Sequence, residues 1–242
     1  MLKKTLPFLL AIPSVGFASG AKIDFLNFDS QTQFQDFAKD LTGALSTKTL
    51  EPAEPLGLPG FDIGISYNMS NLKTDSMDYV SNNGGKSIQA ITLHAVKGLP
   101  FDMNFGLDYS RALDSNIQVW GAKLSYALIE GGALYPAVGI SANYTQTTGI
   151  DALTFNGYGA EVAVSKGFAN FTPYASLGMV TGNVKAREDN TGAAGPDLQD
   201  ETVSMPKAAI GVNINLLVMD VLVAFNQIGE VSTYSIKAGY RF

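Results

Sequence analysis

His94 is the only histidine in this 242-residue chain, and the one side chain whose ordinary titration suits general acid–base work near neutral pH. With a serine and a carboxylate it would complete a hydrolytic triad, the imidazole taking the hydroxyl proton and the acid orienting the ring. No Gly-x-Ser-x-Gly turn occurs, and that turn belongs to another fold in any case. The chain has no cysteine, which excludes thiolate nucleophiles, disulfides and thiolate metal sites. One histidine cannot build a His-rich metal centre, and no cofactor is expected. The remaining candidates are charges scattered along the chain: Asp62, Asp102, Asp108, Glu161 and Asp220 against Lys123, Lys207, Lys237 and Arg241. No local motif joins them, so their chemistry depends on the fold that assembles them.

That fold is written in an alternating pattern running from Phe61 to the C-terminus. Phe61, Ile63, Ile65, Tyr67 and Met69 alternate with Asp62, Gly64, Ser66 and Asn68; Phe101, Met103, Phe105, Leu107 and Tyr109 alternate with Asp102, Asn104, Gly106, Asp108 and Ser110. Successive side chains of a strand point to opposite faces, so each segment carries one apolar and one polar face. The pattern predicts strands near 61–69, 87–97, 100–111, 116–129, 133–146, 152–166, 171–184, 205–216, 219–227 and 232–242. Ten is even, as single-chain bacterial barrels require, and most segments suit the ~9–11 residues that cross a bilayer tilted. Shifting the boundaries by several residues would give eight or twelve. Apolar content of 46% with 16% charge fits a chain with lipid on its outside. The expected fold class is all-β, an antiparallel transmembrane barrel of about ten strands with a short N-terminal amphipathic helix.

The ends of the chain assign a compartment. Lys3 and Lys4 precede an apolar run from Leu6 to Phe17, with small residues at Gly16, Ala18, Ser19, Gly20 and Ala21. This is the form of a secretory signal, cut after Ala18 or Ala21. Residues 1–21 are therefore expected to be removed, leaving 22–60 as a periplasmic helix and Pro-rich linker and 61–242 as the barrel. At the other end Tyr240 and Phe242 share the apolar face of the last strand. That strand resembles the closing strand of Gram-negative outer-membrane barrels, whose assembly machinery reads a terminal Phe. Without Lys3 and Lys4 the chain has 14 basic and 22 acidic residues, a balance that excludes nucleic acid as a partner.

Connection lengths give an orientation. The long connections, 70–86 and 185–204, follow odd strands, and those after even strands are tight. Outer-membrane barrels keep short turns in the periplasm and long loops outside, so both termini are expected to be periplasmic. Tyr67, Tyr109, Trp120, Tyr144 and Tyr234 then form an outer aromatic girdle, and Phe61, Phe101, Tyr126, Tyr240 and Phe242 an inner one. The loop Lys185–Glu201 reads as a solvated acidic surface.

Before the barrel, Phe34, Phe37, Leu41, Ala44 and Leu45 share one helical face, and Ser30 with Gln33 has the form of a capping box. Pro52, Pro55 and Pro59 make the stretch between helix and barrel a stiff extended linker. Phe34, Phe37, Leu41 and Leu45 anchor either a helix lying on the membrane at the rim or a plug entering the lumen from the periplasm; the plug is preferred. Parity sends Asp62, His94, Asp102, Asp108, Lys123, Glu161, Lys207, Asp220, Lys237 and Arg241 into the lumen as constriction candidates. Strand ten closes beside strand one, so Arg241 is expected to pair with Asp62 or Asp220. His94 falls nearer the periplasm, unlike the outer-rim Asp–His couple of omptin-type proteases.

The runs Ala44-Leu45-Ser46, Pro52-Ala53-Glu54-Pro55-Leu56-Gly57, Gly60-Phe61-Asp62-Ile63-Gly64 and Lys97-Gly98-Leu99-Pro100-Phe101 resemble an uncharacterised family of proteobacterial outer-membrane proteins. The resemblance covers most of the mature chain, with only these motifs distinctive. It implies a secreted barrel with a short N-terminal extension and carries no activity or catalytic residue. The function expected is a narrow or gated passive channel for small solutes, hydrophobic ones included. The alternatives are a structural or adhesive barrel acting through its outer loops and a lipid-modifying enzyme centred on His94. The expected partners are outer-membrane lipid and lipopolysaccharide, the barrel-assembly machinery and a small solute.

Overall fold

The computed structural model describes residues 22–23, 25–80, 85–187, 198–216 and 219–242. The expected signal segment, much of the acidic loop and the turn at 217–218 lie outside the described residues. One helix, α1 (Gln31–Leu45), precedes ten strands: β1 (Phe61–Asn71), β2 (Ser87–Leu99), β3 (Met103–Ala112), β4 (Gln118–Ile129), β5 (Ala137–Thr148), β6 (Leu153–Ser165), β7 (Phe171–Ala186), β8 (Glu201–Leu216), β9 (Met219–Ile228) and β10 (Val231–Arg241). Each strand pairs with its sequence neighbours, and β1 closes on β10 to complete the barrel. All pairings are antiparallel, with Asp62 opposite Arg241 and Asn71 opposite Ser232 at the seam. Phe61 and Phe242 exchange two backbone hydrogen bonds of 2.9 Å, which carries the seam past the last strand residue.

The outward face is apolar and uncovered. Ile63, Leu93, Leu107, Val162, Leu177 and Ile236 are each about half exposed or more, a continuous belt that hydrocarbon solvates at no cost and water does not. Towards the end with the long connections (the loop end), cross-strand aromatic pairs ring the wall: Tyr109–Trp120 at 4.6 Å, Tyr144–Tyr158 at 5.1 Å and Phe225–Tyr234 at 5.2 Å. At the other end, the turn end, Phe61, Tyr240 and Phe242 gather with centroids 5.7–5.8 Å apart.

Three expected strand starts move by three residues or more, one of them for a clear local reason. Phe101 and Asp102 have φ of 61° and 57°, the left-handed geometry that closes the three-residue turn between Leu99 and its partner Met103. β3 therefore starts at Met103 rather than 100, and Asp102 belongs to the turn instead of the lumen wall. β5 starts at Ala137, four residues late, and β8 starts at Glu201, four residues early.

The helix lies inside the barrel, at the end opposite to the expected one. Ser30 caps it by accepting from Gln33 N at 3.4 Å, while the Gln33 side chain accepts from Asp29 N at 2.8 Å. The Asp40 carboxylate accepts from the backbone of Lys73 and Thr74 at 3.0 Å, just beyond β1. Thr42 sits against Gly182, late in β7, where an added Cβ would lie 2.1 Å from the Thr42 hydroxyl oxygen; only glycine admits the helix there. Phe34, Phe37 and Leu41 are fully buried with Phe28, Met77, Phe155 and Val184, each aromatic worth ~1.5–3 kcal/mol of burial. The inward face of the barrel is thus apolar towards the loop end and polar below it.

From Ser46 the chain runs extended down the lumen and enters β1 at the turn end. At ~3.3 Å per residue the stretch 46–60 reaches on the order of 50 Å, more than the ~30 Å of a hydrocarbon core. Upstream of the helix, Ile23 exchanges hydrogen bonds with the Asn116 side chain in the β3–β4 turn, and Asn27 N donates to Tyr79 O. Residues 22–30 and Phe242 therefore lie at opposite ends of the barrel, which corrects the expectation that both termini share one side. The prolines stiffen the segment, as the sequence implies, but a stiff extended segment suits passage through a lumen as well as docking at a rim. A membrane-impermeant maleimide should label Lys22→Cys from the same side of the membrane as Asp78→Cys, and from the side opposite to Glu130→Cys. Lys22→Cys sharing a side with Glu130→Cys would show that the segment does not thread the barrel.

The occupied lumen as candidate functional site

Midway down the lumen a four-charge cluster grips the threaded segment. Glu161 on β6 receives Lys207 of β8 at 3.1 Å and Lys123 of β4 at 3.4 Å. Lys123 also pairs with Glu51 of the segment at 2.9 Å. The Thr49 hydroxyl donates to Glu161 at 2.6 Å, and Ser176 and Ser141 add bonds of 3.1 and 3.3 Å. Glu161 and Lys207 are almost wholly buried and Lys123 and Glu51 largely so, so each charge needs its partners to offset desolvation. The segment's backbone is read as closely as its side chains. Lys207 donates to Thr47 O, Tyr174 donates to Thr49 O, and Asn226 accepts from Thr49 N, all at 2.8–2.9 Å. Lower down, Ser165 accepts from Ala53 N at 3.1 Å and Asn104 from Leu56 N at 3.0 Å. These bonds replace the partners that an isolated strand inside a barrel would lack.

Above the cluster, Lys48 turns back to donate to the carbonyls of Gly43, Ala44 and Ser46 at 2.7–3.1 Å. Its ammonium sits at the negative end of α1, where a cation is favoured. Near the turn end, Lys237 pairs with Asp62 at 2.7 Å. Arg241 faces Asp62 in the strand register, yet its guanidinium reaches the Glu54 carbonyl at 3.5 Å, so the expected pairing with Asp62 or Asp220 does not form. Lys237, on the same inward face, reaches the carboxylate first. Both oxygens of buried Asp220 have no hydrogen-bond partner among the described residues.

The β1–β3 wall carries a third arrangement. Ser66 Oγ lies 2.8 Å from His94 Nε2, and His94 Nδ1 lies 2.7 Å from Asp108 Oδ1. Register produces it: Gly64 faces His94 and His94 faces Asp108 across the strands, and Ser66 is two residues along the same inward face. The order is that of nucleophile, base and orienting acid. Asn68 Nδ2 donates to Ser66 Oγ at 3.0 Å and to Thr92 at 3.0 Å. Acyl transfer also needs donors aimed at a developing oxyanion, and the strand N–H groups here are committed to the barrel ladder. A cavity of about 50 Å³ beside the segment is lined by Lys48, Asn68, Thr92, His94, Asp108 and Ser110; Ser66 lies behind that lining.

Asp62, His94, Asp108, Lys123, Glu161, Lys207, Asp220 and Lys237 thus line or underlie the lumen in three groups rather than one constriction, and Arg241 lies at its turn-end mouth. Asp102 is outside it. Phe34, Phe37, Leu41 and Leu45 are buried inside the barrel, at the loop end. Glu51, Thr49 and Tyr174 carry no sign of their role in the sequence, because nothing local distinguishes a threaded segment from a linker. The one available signal is arithmetic: the inward charges of Lys123 and Lys207 exceed what Glu161 alone can balance.

No family model matches the chain, and no curated protein matches it. Solved structures to which the chain is similar include the KdgM porin in complex with disordered oligogalacturonate (TM-score 0.40, 10% identity, covering 75% of this chain and 99% of that one). The N-terminal barrel domain of Pseudomonas aeruginosa OprF (0.36, 12%, 73% and 97%) is another, as is the attachment invasion locus protein Ail of Yersinia pestis (0.35, 16%, 76% and 98%). At these scores none bears on what this chain does.

Glu161→Gln should destabilise the folded barrel by ~3–5 kcal/mol, because it leaves a buried cation unpaired. Glu161→Gln/Lys207→Met, which keeps the Glu51–Lys123 pair neutral, should recover much of that loss. The readout is the temperature at which the compact form is lost in heat-modifiability electrophoresis. A double variant no better than the single would mean that the cluster does not act as a charge-balanced unit.

Proposed function

We propose that the chain is an outer-membrane barrel serving as a gated passive channel for small solutes, with its own N-terminal segment as the gate. The observation that carries this reading is how the segment is held: hydrogen bonds and ion pairs to a polar wall, with no covalent tie beyond the chain itself. A wall lined by Glu161, Lys123, Lys207, Asn104 and Asn226 is what an aqueous pore needs once the segment withdraws. The apolar helix pocket at the loop end would then meet a solute with apolar parts. Long connections at the loop end support the orientation with that end outside. The runs that resemble the proteobacterial family fall on the threaded segment, its junction with β1 and the hairpin at Gly98. An added Cβ at Gly98 would lie 1.9 Å from the Gly57 carbonyl oxygen. The distinctive part of the sequence is therefore the gate and its seat.

The Ser66–His94–Asp108 geometry favours a second reading, a hydrolase exposed when the segment leaves. A fluorophosphonate adduct on Ser66, absent from His94→Ala, would support it, and no adduct would remove it. The terminal strand supports a reading in which the assembly machinery recognises Phe242. Phe242→Asp should then lower the yield of membrane-inserted, heat-modifiable protein several-fold in cells while refolded protein stays compact, and an unchanged yield would overturn it.

The gate itself is testable because the chain has no cysteine. A Cβ placed at Gly139 would stand 3.7 Å from Ala53 Cβ, a separation suited to a disulfide. Oxidised Ala53→Cys/Gly139→Cys should be silent in planar bilayers, and reduction should restore the openings of the unsubstituted protein. Equal conductance in both redox states would remove the segment as gate. No openings in any form would favour a barrel acting through its outer surface.

A further inference from the structure

The membrane-facing wall at the loop end of β2 and β3 carries a groove of about 510 Å³ whose lining includes Ile91, Leu93, Tyr109, Arg111, Leu113 and Asp114. Arg111 stands opposite Ile91 and Gln118 in the register, on the outward face two residues beyond Tyr109. It is exposed and, among the described residues, makes no ion pair. Tyr109 packs against Trp120 directly below it, with ring centroids 4.6 Å apart and planes tilted by 45°, which sets the level of the girdle where hydrocarbon ends. The chain as a whole carries a net charge of −6, so this guanidinium is a local feature rather than part of a basic surface.

We propose that this groove binds one phosphorylated acyl glycolipid of the lipid A type, with its phosphate on Arg111 and an acyl chain along Ile91 and Leu93. The inference rests on the orientation with the loop end outside. A guanidinium at the headgroup level offers a planar fork that matches phosphate, and the apolar strip beneath it runs in the direction of an acyl chain. Asp114 on the adjoining turn opposes a second anion, so the site takes a single phosphate. A groove that opens onto the lipid face with a cation at its upper rim suits a lipid better than a soluble protein.

Trp120 is the only tryptophan, which makes its emission a reporter for this site. Titrating the full chain in neutral detergent with lipid A should give a saturable change in Trp120 emission. Arg111→Gln should raise the midpoint by about five-fold, and Arg111→Lys should fall between the two. A phosphate-free glycolipid with the same acyl chains should not saturate. The proposal is overturned if Arg111→Gln titrates like the unsubstituted protein, if the phosphate-free lipid binds equally, or if inorganic phosphate alone reproduces the response. None of these readouts involves conductance, so a barrel that never opens would leave the result standing.

Discussion

The carboxylate of Glu161 is the interaction on which the rest of the lumen depends. It is buried in the wall, and a lone anion there would cost several kcal/mol. Lys123 and Lys207 neutralise it from two other strands, and the surplus positive charge is met by Glu51 of the threaded segment. The segment is therefore a constituent of the charge balance, and its backbone is fixed in register by Thr49. From that point the extended chain runs up to a helix and down to β1. The apolar pocket at the loop end covers that helix, and at the turn end the Asp62–Lys237 pair ties β1 to β10 just past the point where the segment joins the wall.

Much of the barrel is legible in the sequence because its cause is local. Alternation along Phe61–Met69 and Phe105–Tyr109 states both the strand and the face that meets lipid, and a one-residue slip would turn every side chain around. The helix is legible too, through the spacing of Phe34, Phe37 and Leu41 and the cap at Ser30. Errors arise where backbone geometry at one or two residues decides the outcome. Phe101 and Asp102 alternate like their neighbours, yet their left-handed turn removes them from the strand.

The location of the helix is not legible, for a different reason. An amphipathic face says that a helix must be covered, and the covering surface lies far away in sequence: Phe155, Val184 and the glycine at 182. The inward residues of β6 and β7 are unusually apolar for a lumen, and that is the available clue. The Ser66–His94–Asp108 contact likewise depends on the register of three strands, which fixes it once the barrel is closed and leaves no trace in spacing beforehand.

The seam between β1 and β10 closes a ring through which the chain's own N-terminal segment passes. In topological terms the protein is a self-threaded ring: a narrow extended axle passes through it, with a helix about 10–12 Å across as the stopper at one end and the covalent junction to β1 at the other. The polar waist around Glu161 is filled by a single extended segment hydrogen-bonded to β6, β7, β8 and β9, and the junction cannot be undone. The axle therefore has one direction of travel, outward through the loop end, and its stroke is bounded by the length of chain between the helix and Phe61. Such a device is asymmetric by construction: a pull on the N-terminal side only draws the axle taut inside the ring, and the ring empties when the helix unwinds and the chain slips back to the side of the C-terminus.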